Sequence, residues 1–308
     1  MRILVTGAGG FIGSHLVRAL LPRASHLVLA DASAFAAPTG KDVTVRTGDI
    51  ADGAFVKTLL EGGVDSVFPL AATLTTDAEA DFGKGLRVNV LALVQMLELL
   101  RTLGQRPKVV FASSIAAFGG ALPETVDDSI AQTPQTSYGT HKAIAELLLN
   151  DYSRRGFIDG RALRLPVVLT RPGAPSPSVS DRVAAIVREP LMGRDFACPF
   201  DPDTRLPVAS VQRVARALLA IHDLPASAFG ASRAMNLPAL SVTVREMVEA
   251  VERHRGGRTV GKITFAPDPK LQAIVEGWPR RFGSALASSH GIAADASMEE
   301  VIANFLHG

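Results

Sequence analysis

A glycine-rich stretch near the start of the chain, TGAGGFIG, constrains the fold more than any other feature of the sequence. It follows an apolar run at residues 3–5 that is typical of a buried strand, and it leads into a helical pattern that begins at Phe11. Gly7 permits a tight turn, Gly10 lets backbone N–H groups approach an anion, and Gly13 lets the helix pack closely on the strand. The stretch therefore predicts a dinucleotide pyrophosphate site at the start of a helix.

An acidic residue, Asp31, ends the second apolar run. It lies about twenty residues beyond the glycine-rich stretch, where the carboxylate of a dinucleotide-binding fold binds the hydroxyls of an adenosine ribose. Its charge would repel a 2′-phosphate, and the first basic residue after it is Lys41. The sequence therefore predicts NAD rather than NADP as the cofactor. The alternative is that Asp31 only caps a turn.

Strand-like runs alternate with helical patterns through the first half of the chain, which is typical of a doubly wound parallel α/β sheet of the Rossmann type. The strand-like runs cover residues 3–5, 26–30, 43–47, 66–70, 108–112 and 161–168, and the helical patterns cover 11–21, 55–61, 86–103 and 138–154. A Pro/Ser-rich connection follows Thr170. We therefore predict an NAD-binding domain over residues 1–170 and a smaller substrate-binding lobe over residues 171–308, partly interleaved with the first domain.

The composition argues against several other classes of protein. The formal net charge is only +2 and there is no long basic run, so neither a nucleic acid nor a membrane is predicted as a partner. The single cysteine, Cys198, excludes an intrachain disulfide and a multi-cysteine metal site, and no metal is predicted. Because a strand is predicted directly after Arg2 and no apolar run is long enough to cross a membrane, we expect a cytoplasmic protein.

Two predicted helices, at residues 86–103 and 138–154, carry more apolar side chains than one buried face requires. The first is apolar nearly all round, and the second contains three consecutive leucines, Leu147 to Leu149. A homodimer that packs both helices against their mates would bury these side chains. The alternative is that the carboxyl-terminal lobe of the same chain covers them.

Tyr138 and Lys142 are four residues apart at the start of a predicted helix, so both side chains project from one face. The lysine ammonium and the positive ring of an oxidised nicotinamide would favour the tyrosine phenolate, which can take a proton from an alcohol. The fifth predicted strand ends in Ser113 and Ser114, where a hydroxyl can bind the reacting oxygen. His141 projects about 100° away from Lys142 on the helix, and we expect it to be structural.

Taken as a set, these segments resemble the extended short-chain dehydrogenase/reductase family, over the whole predicted first domain. The resemblance lies in TGAGGFIG, Asp31, GDI, LAA, Asn89, SSIAAFGG and YGTHK. It implies that Ser114, Tyr138 and Lys142 are catalytic. The cofactor-binding positions that it implies are Gly7, Gly10, Phe11, Ile12, Gly13, Asp31, Asp49, Ile50, Leu70, Ala71, Ala72, Asn89, Tyr138, Lys142 and Pro166.

Within that family the chain is similar to the branch of bacterial D-erythronate dehydrogenases, in segments that span both predicted domains. This resemblance implies NAD-dependent oxidation of the 2-hydroxyl of a small sugar acid. Arg171 or Arg182 could bind its carboxylate through two parallel hydrogen bonds. The predicted substrate-binding residues are Thr75, Ser114, Arg171 and Arg182.

The chain departs from the pattern of that branch at positions expected to contact substrate. They are Pro69, Ala174, Ser176, Arg182 and Pro207. The exact substrate therefore stays open.

Two alternatives remain at this stage. A nucleotide-sugar epimerase would use the same triad. Against it, Val167 stands where such enzymes usually have asparagine, and the Arg-Asp-Tyr pattern after Arg205 is lacking. A dinucleotide-sensing regulator on the same fold would have no need of the Ser, Tyr and Lys set.

Overall fold

The computed structural model describes residues 1–40, 42–169, 178–254 and 259–307. Its strands are β1 (Arg2–Thr6), β2 (His26–Asp31), β3 (Val43–Thr47), β4 (Ser66–Pro69), β5 (Lys108–Ser114), β6 (Thr125–Val126), β7 (Asp159–Leu165), β8 (Val167–Leu169), β9 (Phe196–Cys198), β10 (Arg205–Ser210), β11 (Ala234–Asn236), β12 (Leu240–Thr243), β13 (Ile263–Phe265) and β14 (Arg281–Phe282). Its helices are α1 (Phe11–Leu20), α2 (Gly53–Leu59), α3 (Thr75–Ala80), α4 (Phe82–Leu86), α5 (Ala92–Leu103), α6 (Ser137–Arg154), α7 (Val179–Leu191), α8 (Val211–Asp223), α9 (Val244–Arg253), α10 (Pro269–Glu276), α11 (Ala285–Ser289) and α12 (Met298–His307).

A seven-stranded sheet has the order β11, β7, β5, β4, β1, β2, β3. Strand β1 pairs in parallel with β2 on one side and with β4 on the other, so Thr6 lies opposite both Ala30 and Pro69. The chain reverses its direction of winding between β1 and β4, and ligands of doubly wound sheets bind at the carboxyl ends of the strands at such a point. The predicted Rossmann-type α/β fold is confirmed.

The chain divides into two compact units that are interleaved in sequence. The first comprises Met1–Ala117, Thr136–Arg164 and Ala215–Met235, and it contains nearly all of the seven-stranded sheet. The second comprises Phe118–Gln135, Leu165–Val214 and Asn236–Gly308, and it contains a three-stranded sheet of order β12, β10, β8 and two two-stranded sheets.

The core of the first unit lies between the sheet and helices α2, α5 and α6. Helix α5 contributes Met96, Leu97 and Leu100, and α6 contributes Ala145 and Leu149, all of which are buried against strand residues. The three- and four-residue spacing of these side chains places them on one face of each helix. This packing fixes α6, which begins one residue before Tyr138, against the sheet.

Two of the predicted elements are divided in the structure. The predicted strand at residues 161–168 is split into β7 and β8 at Pro166, because proline has no N–H to continue a ladder. The predicted helix at residues 86–103 begins with α4 and one turn of π-helix, Arg87–Leu91, before α5. Single π-helical turns often occur at functional sites, and this one contains Asn89.

Helix α9 begins with a capping box, which the spacing of Thr243 and Glu246 predicts. Thr243 Oγ1 accepts the Glu246 N–H at 3.1 Å, and the Glu246 carboxylate accepts the Thr243 N–H at 2.6 Å. Among the helices in the described ranges, none combines the length and the apolar character needed to cross a membrane.

Candidate active site

The glycine-rich loop between β1 and α1 needs its glycines for steric reasons. Gly7 has a φ of +67°, and a Cβ there would lie 2.7 Å from the Ala71 backbone nitrogen. A Cβ on Gly13 would overlap the Gly7 carbonyl oxygen, so only glycine lets α1 approach the loop this closely. Gly10 is exposed, and it caps α1 without a side chain. The first turn of α1 therefore presents backbone N–H groups with no side chain in front of them, which fits a diphosphate.

Asp31 lies at the end of β2, beside this loop. Its Oδ2 atom accepts the Gly9 N–H at 2.9 Å, so the loop itself holds the carboxylate in place. The ring of Phe35 packs on Gly9, where a Cβ would come within 2.6 Å of the Phe35 Cβ. The position fits a ribose, whose hydroxyls can donate to the remaining lone pairs.

The other predicted cofactor residues lie in several different environments. Ile50, Ala71, Ala72 and Asn89 line one cavity with Lys142, while Phe11 and Ile12 are half-buried in the first turn of α1. Leu70 follows β4, and its N–H donates to the Thr6 carbonyl oxygen at 3.1 Å. Asp49 is exposed and accepts the Ala51 N–H at 2.9 Å, and Pro166 is buried in the second unit.

Ser114, Tyr138 and Lys142 lie together in the first unit. The Thr136 side chain caps the start of α6 by accepting the Gly139 N–H at 3.1 Å, which sets the direction of Tyr138. A hydrogen bond joins the Tyr138 and Ser114 side chains. Lys142 Nζ lies 5.3 Å from the centroid of the Tyr138 ring and donates to the Ala112 carbonyl oxygen at 2.8 Å. These three side chains come from the end of β5 and from one face of α6.

Burial shifts the pKa values of Tyr138 and Lys142 in the directions that favour the uncharged side chains. It raises the pKa of Tyr138 to about 12, an effect that the hydrogen bond with Ser114 opposes. Burial lowers the pKa of Lys142 to about 8, and the negative charge of Glu146 opposes this shift. A positive charge close to the phenol would therefore favour its ionisation, and the arrangement can serve as a proton acceptor.

A buried ion pair that was not predicted from the sequence lies next to Ser114, Tyr138 and Lys142. Arg164 on β7 donates to both carboxylate oxygens of Glu146, through Nε at 3.1 and 3.0 Å and through Nη2 at 2.8 Å. Ser113 also donates to Glu146. Glu146 lies one helical turn beyond Lys142, so Arg164 ties α6 to β7, and Ser113 ties α6 to the end of β5 that carries Ser114. The four-residue spacing of Tyr138, Lys142 and Glu146 was the available signal.

Asn89, predicted to bind the cofactor, clamps the segment that follows β4. Its Oδ1 atom accepts the Thr73 N–H at 2.8 Å, and its Nδ2 atom donates to the Thr73 carbonyl oxygen at 2.9 Å. Ala71 and Ala72, which line the cavity beside Lys142, directly precede this clamp. Asn89 therefore fixes the backbone of the predicted cofactor path.

The predicted substrate-binding residues Thr75, Arg171 and Arg182 lie in different parts of the chain from Ser114. Thr75 is half-buried at the first position of α3 in the first unit, and Arg182 is exposed in the first turn of α7 in the second unit. Arg171, with Ala174 and Ser176, lies outside the described residues. Substrate binding by Thr75, Arg171 and Arg182 stays a prediction.

Comparison with known proteins identifies the family of this chain. Residues 3–236 match the model of the NAD dependent epimerase/dehydratase family. The D-erythronate dehydrogenase of Cupriavidus necator is 41% identical over 99% of this chain and 98% of its own length. The D-erythronate dehydrogenase of Haemophilus influenzae is 36% identical over 99% of both chains.

A solved structure, described as the nucleoside-diphosphate-sugar epimerase from Agrobacterium tumefaciens, superposes with a TM-score of 0.92 at 36% identity. The match covers 98% of this chain and 92% of that chain. The predicted NAD cofactor and the predicted type of enzyme are thereby confirmed. The chain belongs to the NAD dependent epimerase/dehydratase family, the extended short-chain dehydrogenase/reductases.

Proposed function

We propose that the protein oxidises the C2 hydroxyl of a small sugar acid similar to D-erythronate, giving the 2-oxo acid. The grouping of Ser114, Tyr138 and Lys142 carries this proposal, because it joins a proton acceptor to a hydroxyl that can bind the reacting oxygen. The names of the two relatives described above support the sugar-acid substrate.

The reaction removes a proton from oxygen and a hydride from the carbon that bears it. Bound NAD supplies a positively charged hydride acceptor. Tyr138, as the phenolate, takes the hydroxyl proton while the C–H bond breaks and the C=O bond forms. Ser114 donates a hydrogen bond to the same substrate oxygen, and its bond with Tyr138 keeps the two oxygens close. The Lys142 ammonium stabilises the phenolate by its charge.

The substrate carboxylate needs a cationic partner. We assign this role to Arg182 or Arg171, because a guanidinium binds a carboxylate through two parallel hydrogen bonds. Arg182 is exposed. We further propose that residues 171–308 supply most of the substrate contacts, while the NAD site belongs to residues 1–170.

A screen of four- to six-carbon aldonic acids, followed by NADH absorbance, tests this function. We expect D-erythronate or a close analogue to give one NADH for each molecule oxidised. Arg182→Met should raise KM for the acid with little change in KM for NAD, and Arg216→Met on α8 is the matched control. Absence of NADH formation with every aldonic acid would contradict the proposal.

The second candidate function is a nucleotide-sugar epimerase, which the description of the Agrobacterium tumefaciens structure favours. An epimerase returns the hydride to the opposite face of the same carbon and therefore accumulates no NADH. Including UDP- and dTDP-sugars in the screen, with product analysis by NMR, separates the two functions. Epimerised sugar without net NADH would replace the dehydrogenase proposal.

We expect kcat/KM for oxidation to rise with pH between about pH 6 and about pH 9, because the proton acceptor must be the phenolate. Burial raises the pKa of Tyr138 to about 12. We expect the positive charges of Lys142 and of bound NAD to lower it. The pKa of Lys142 is about 8, so loss of its charge should flatten the profile at the upper end. Reduction of the 2-oxo acid should fall over the same range. Initial rates at constant ionic strength measure both directions, and flat profiles would contradict the role of Tyr138.

We also propose a homodimer formed through residues 86–103 and 138–154. Leu91 and Leu147 are 54% and 66% exposed, although both are large apolar side chains. Burial of about 100 Å² of apolar surface contributes about 2.5 kcal/mol, so a symmetric contact that covers both leucines of both copies favours association.

Leu147→Asp should convert this dimer into a monomer, because each copy would place a charge in the apolar contact. Size-exclusion chromatography with light scattering gives the mass directly. Met192→Asp is the matched control, since Met192 is 57% exposed and lies outside both helices. A wild-type protein that elutes as a monomer would contradict the dimer.

A further inference from the structure

His141 lies beside Lys142 on α6 but contacts a different set of groups. Its side chain is only 2% exposed. Helix α4 packs against the imidazole, with the Phe82 ring centroid 6.4 Å away. Gly85 of the same helix allows this approach, because a Cβ there would lie 3.2 Å from the His141 Cε1 atom. The ring therefore occupies a tight site between α6, α4 and the π-helical turn.

The hydrogen bonds of Asn89 determine which nitrogen of His141 carries the proton. The Thr73 N–H can only donate, so the atom of Asn89 that accepts it at 2.8 Å must be the amide oxygen. The amide nitrogen then faces both the Thr73 carbonyl oxygen, at 2.9 Å, and His141 Nδ1, at 3.2 Å. Because an amide nitrogen only donates, Nδ1 must accept, and the proton resides on Nε2.

This contact links His141 to the cofactor path. Asn89 holds both backbone groups of Thr73, and Ala71 and Ala72, immediately before it, line the cavity beside Lys142. Ala71 also lies against Gly7, whose space for a Cβ is filled by the Ala71 backbone. A rotation of the Asn89 amide would therefore disturb the segment on which the glycine-rich loop rests.

We propose that His141 is a positioning residue that locks the Asn89 amide, and through it residues 71–73 of the NAD site, only while its imidazole is neutral. Protonation of Nδ1 would turn the acceptor into a donor that faces the Asn89 N–H. NAD affinity would then decrease on acidification. The inference rests on the NAD site of the family and does not require the proposed sugar-acid substrate.

The charges around His141 are consistent with a neutral ring at neutral pH. Burial, the largest effect, lowers the pKa of His141 below its usual value of 6.5. Glu79 on α3 acts in the opposite direction, and Lys142 on α6 lowers the pKa further. Helix α4 contributes Phe82 and Gly85 at the ring, and the π-helical turn contributes the neutral amide of Asn89.

Calorimetric titration of the full-length protein with NAD tests this role without any substrate. His141→Leu removes the acceptor, and we expect the NAD dissociation constant to rise about tenfold at about pH 7.5, as loss of one buried hydrogen-bond partner implies. His141→Asn restores an acceptor that does not titrate near the Nδ1 position, and it should remain within about threefold of wild type. The wild type should lose affinity between about pH 7 and about pH 5.5, whereas His141→Asn should not.

His222→Asn is the matched control, because His222 is also buried with a lowered pKa but contacts Ser66 at the amino end of β4. It should reduce thermal stability and leave the pH dependence of NAD binding unchanged. Equal NAD affinity in His141→Leu and wild type would overturn the inference. It would also be overturned if His141→Asn lost NAD affinity on acidification as much as the wild type does. If NAD binds normally but no hydroxy acid is oxidised, the proposed function fails and the role of His141 stands.

Discussion

Replacing Tyr138 with phenylalanine should reduce kcat by about 10²–10⁴-fold or more, while the NAD dissociation constant changes by less than about twofold. The phenol oxygen is the only atom removed, and it is the atom that we assign to take the substrate proton. Its hydrogen bond with Ser114 and its position one turn before Lys142 place it among groups that can stabilise a phenolate. Steady-state rates and calorimetric titration with NAD measure the two quantities separately.

The chain offers a matched control for this variant, because it contains only one other tyrosine, Tyr152. Tyr152 lies near the other end of α6, where its hydroxyl donates to Glu98. Tyr152→Phe removes the same atom from the same helix and should leave kcat close to wild type. If Tyr138→Phe kept near-normal turnover, the Tyr138 hydroxyl would not be the proton acceptor, and the proposed dehydrogenase mechanism would lack a base.

Arg164→Met should lower the free energy of unfolding by about 3–5 kcal/mol, because it removes the guanidinium from a buried carboxylate. Arg164 and Glu146 are 7% and 5% exposed, so water cannot readily replace the lost partner. Denaturant unfolding measures this difference. The double variant Arg164→Met with Glu146→Leu should recover much of the lost stability, since it leaves neither charge of this pair buried without the other.

Arg154→Met is the control for a surface ion pair on the same helix. Arg154 and Asp151 are 72% and 55% exposed, and loss of such a pair costs about 0–1 kcal/mol. A destabilisation by Arg164→Met as small as that of the control would contradict the importance of the buried pair.

Glu146→Gln should also lower the pKa of Lys142 further, because the charge of Glu146 opposes the effect of burial.

Much of the candidate NAD site could be proposed from the sequence, because its features are local. The turn at Gly7, the space at Gly13 and the carboxylate after β2 depend on a few consecutive residues, whose conformational needs are visible in sequence. The same holds for Tyr138 and Lys142, which share a face of any helix that contains both. The end of the fifth predicted strand indicated Ser113 and Ser114 alike, and the family resemblance pointed to Ser114.

Other parts of the site could not be predicted, because they join segments distant in sequence. The contact between Asn89 and His141 and the pair of Glu146 with Arg164 depend on how α6 lies against the π-helical turn and β7. Helical geometry alone indicated that His141 projects away from Lys142, but not what it meets there. A partly interleaved second lobe was predicted, but no local signal indicated that residues 215–235 return to the first unit.

Backbone sterics and helical periodicity act over a few residues, so the Rossmann-type fold, the NAD cofactor and the shared helix face of Tyr138 and Lys142 could be inferred from the sequence. The grouping of buried polar side chains, and the direction in which burial shifts their pKa values, could be read only from the packing of segments that are distant in sequence. Desolvation and charge interactions depend on every segment that packs around a group, and the packing around Lys142 and His141 therefore sets their pKa shifts.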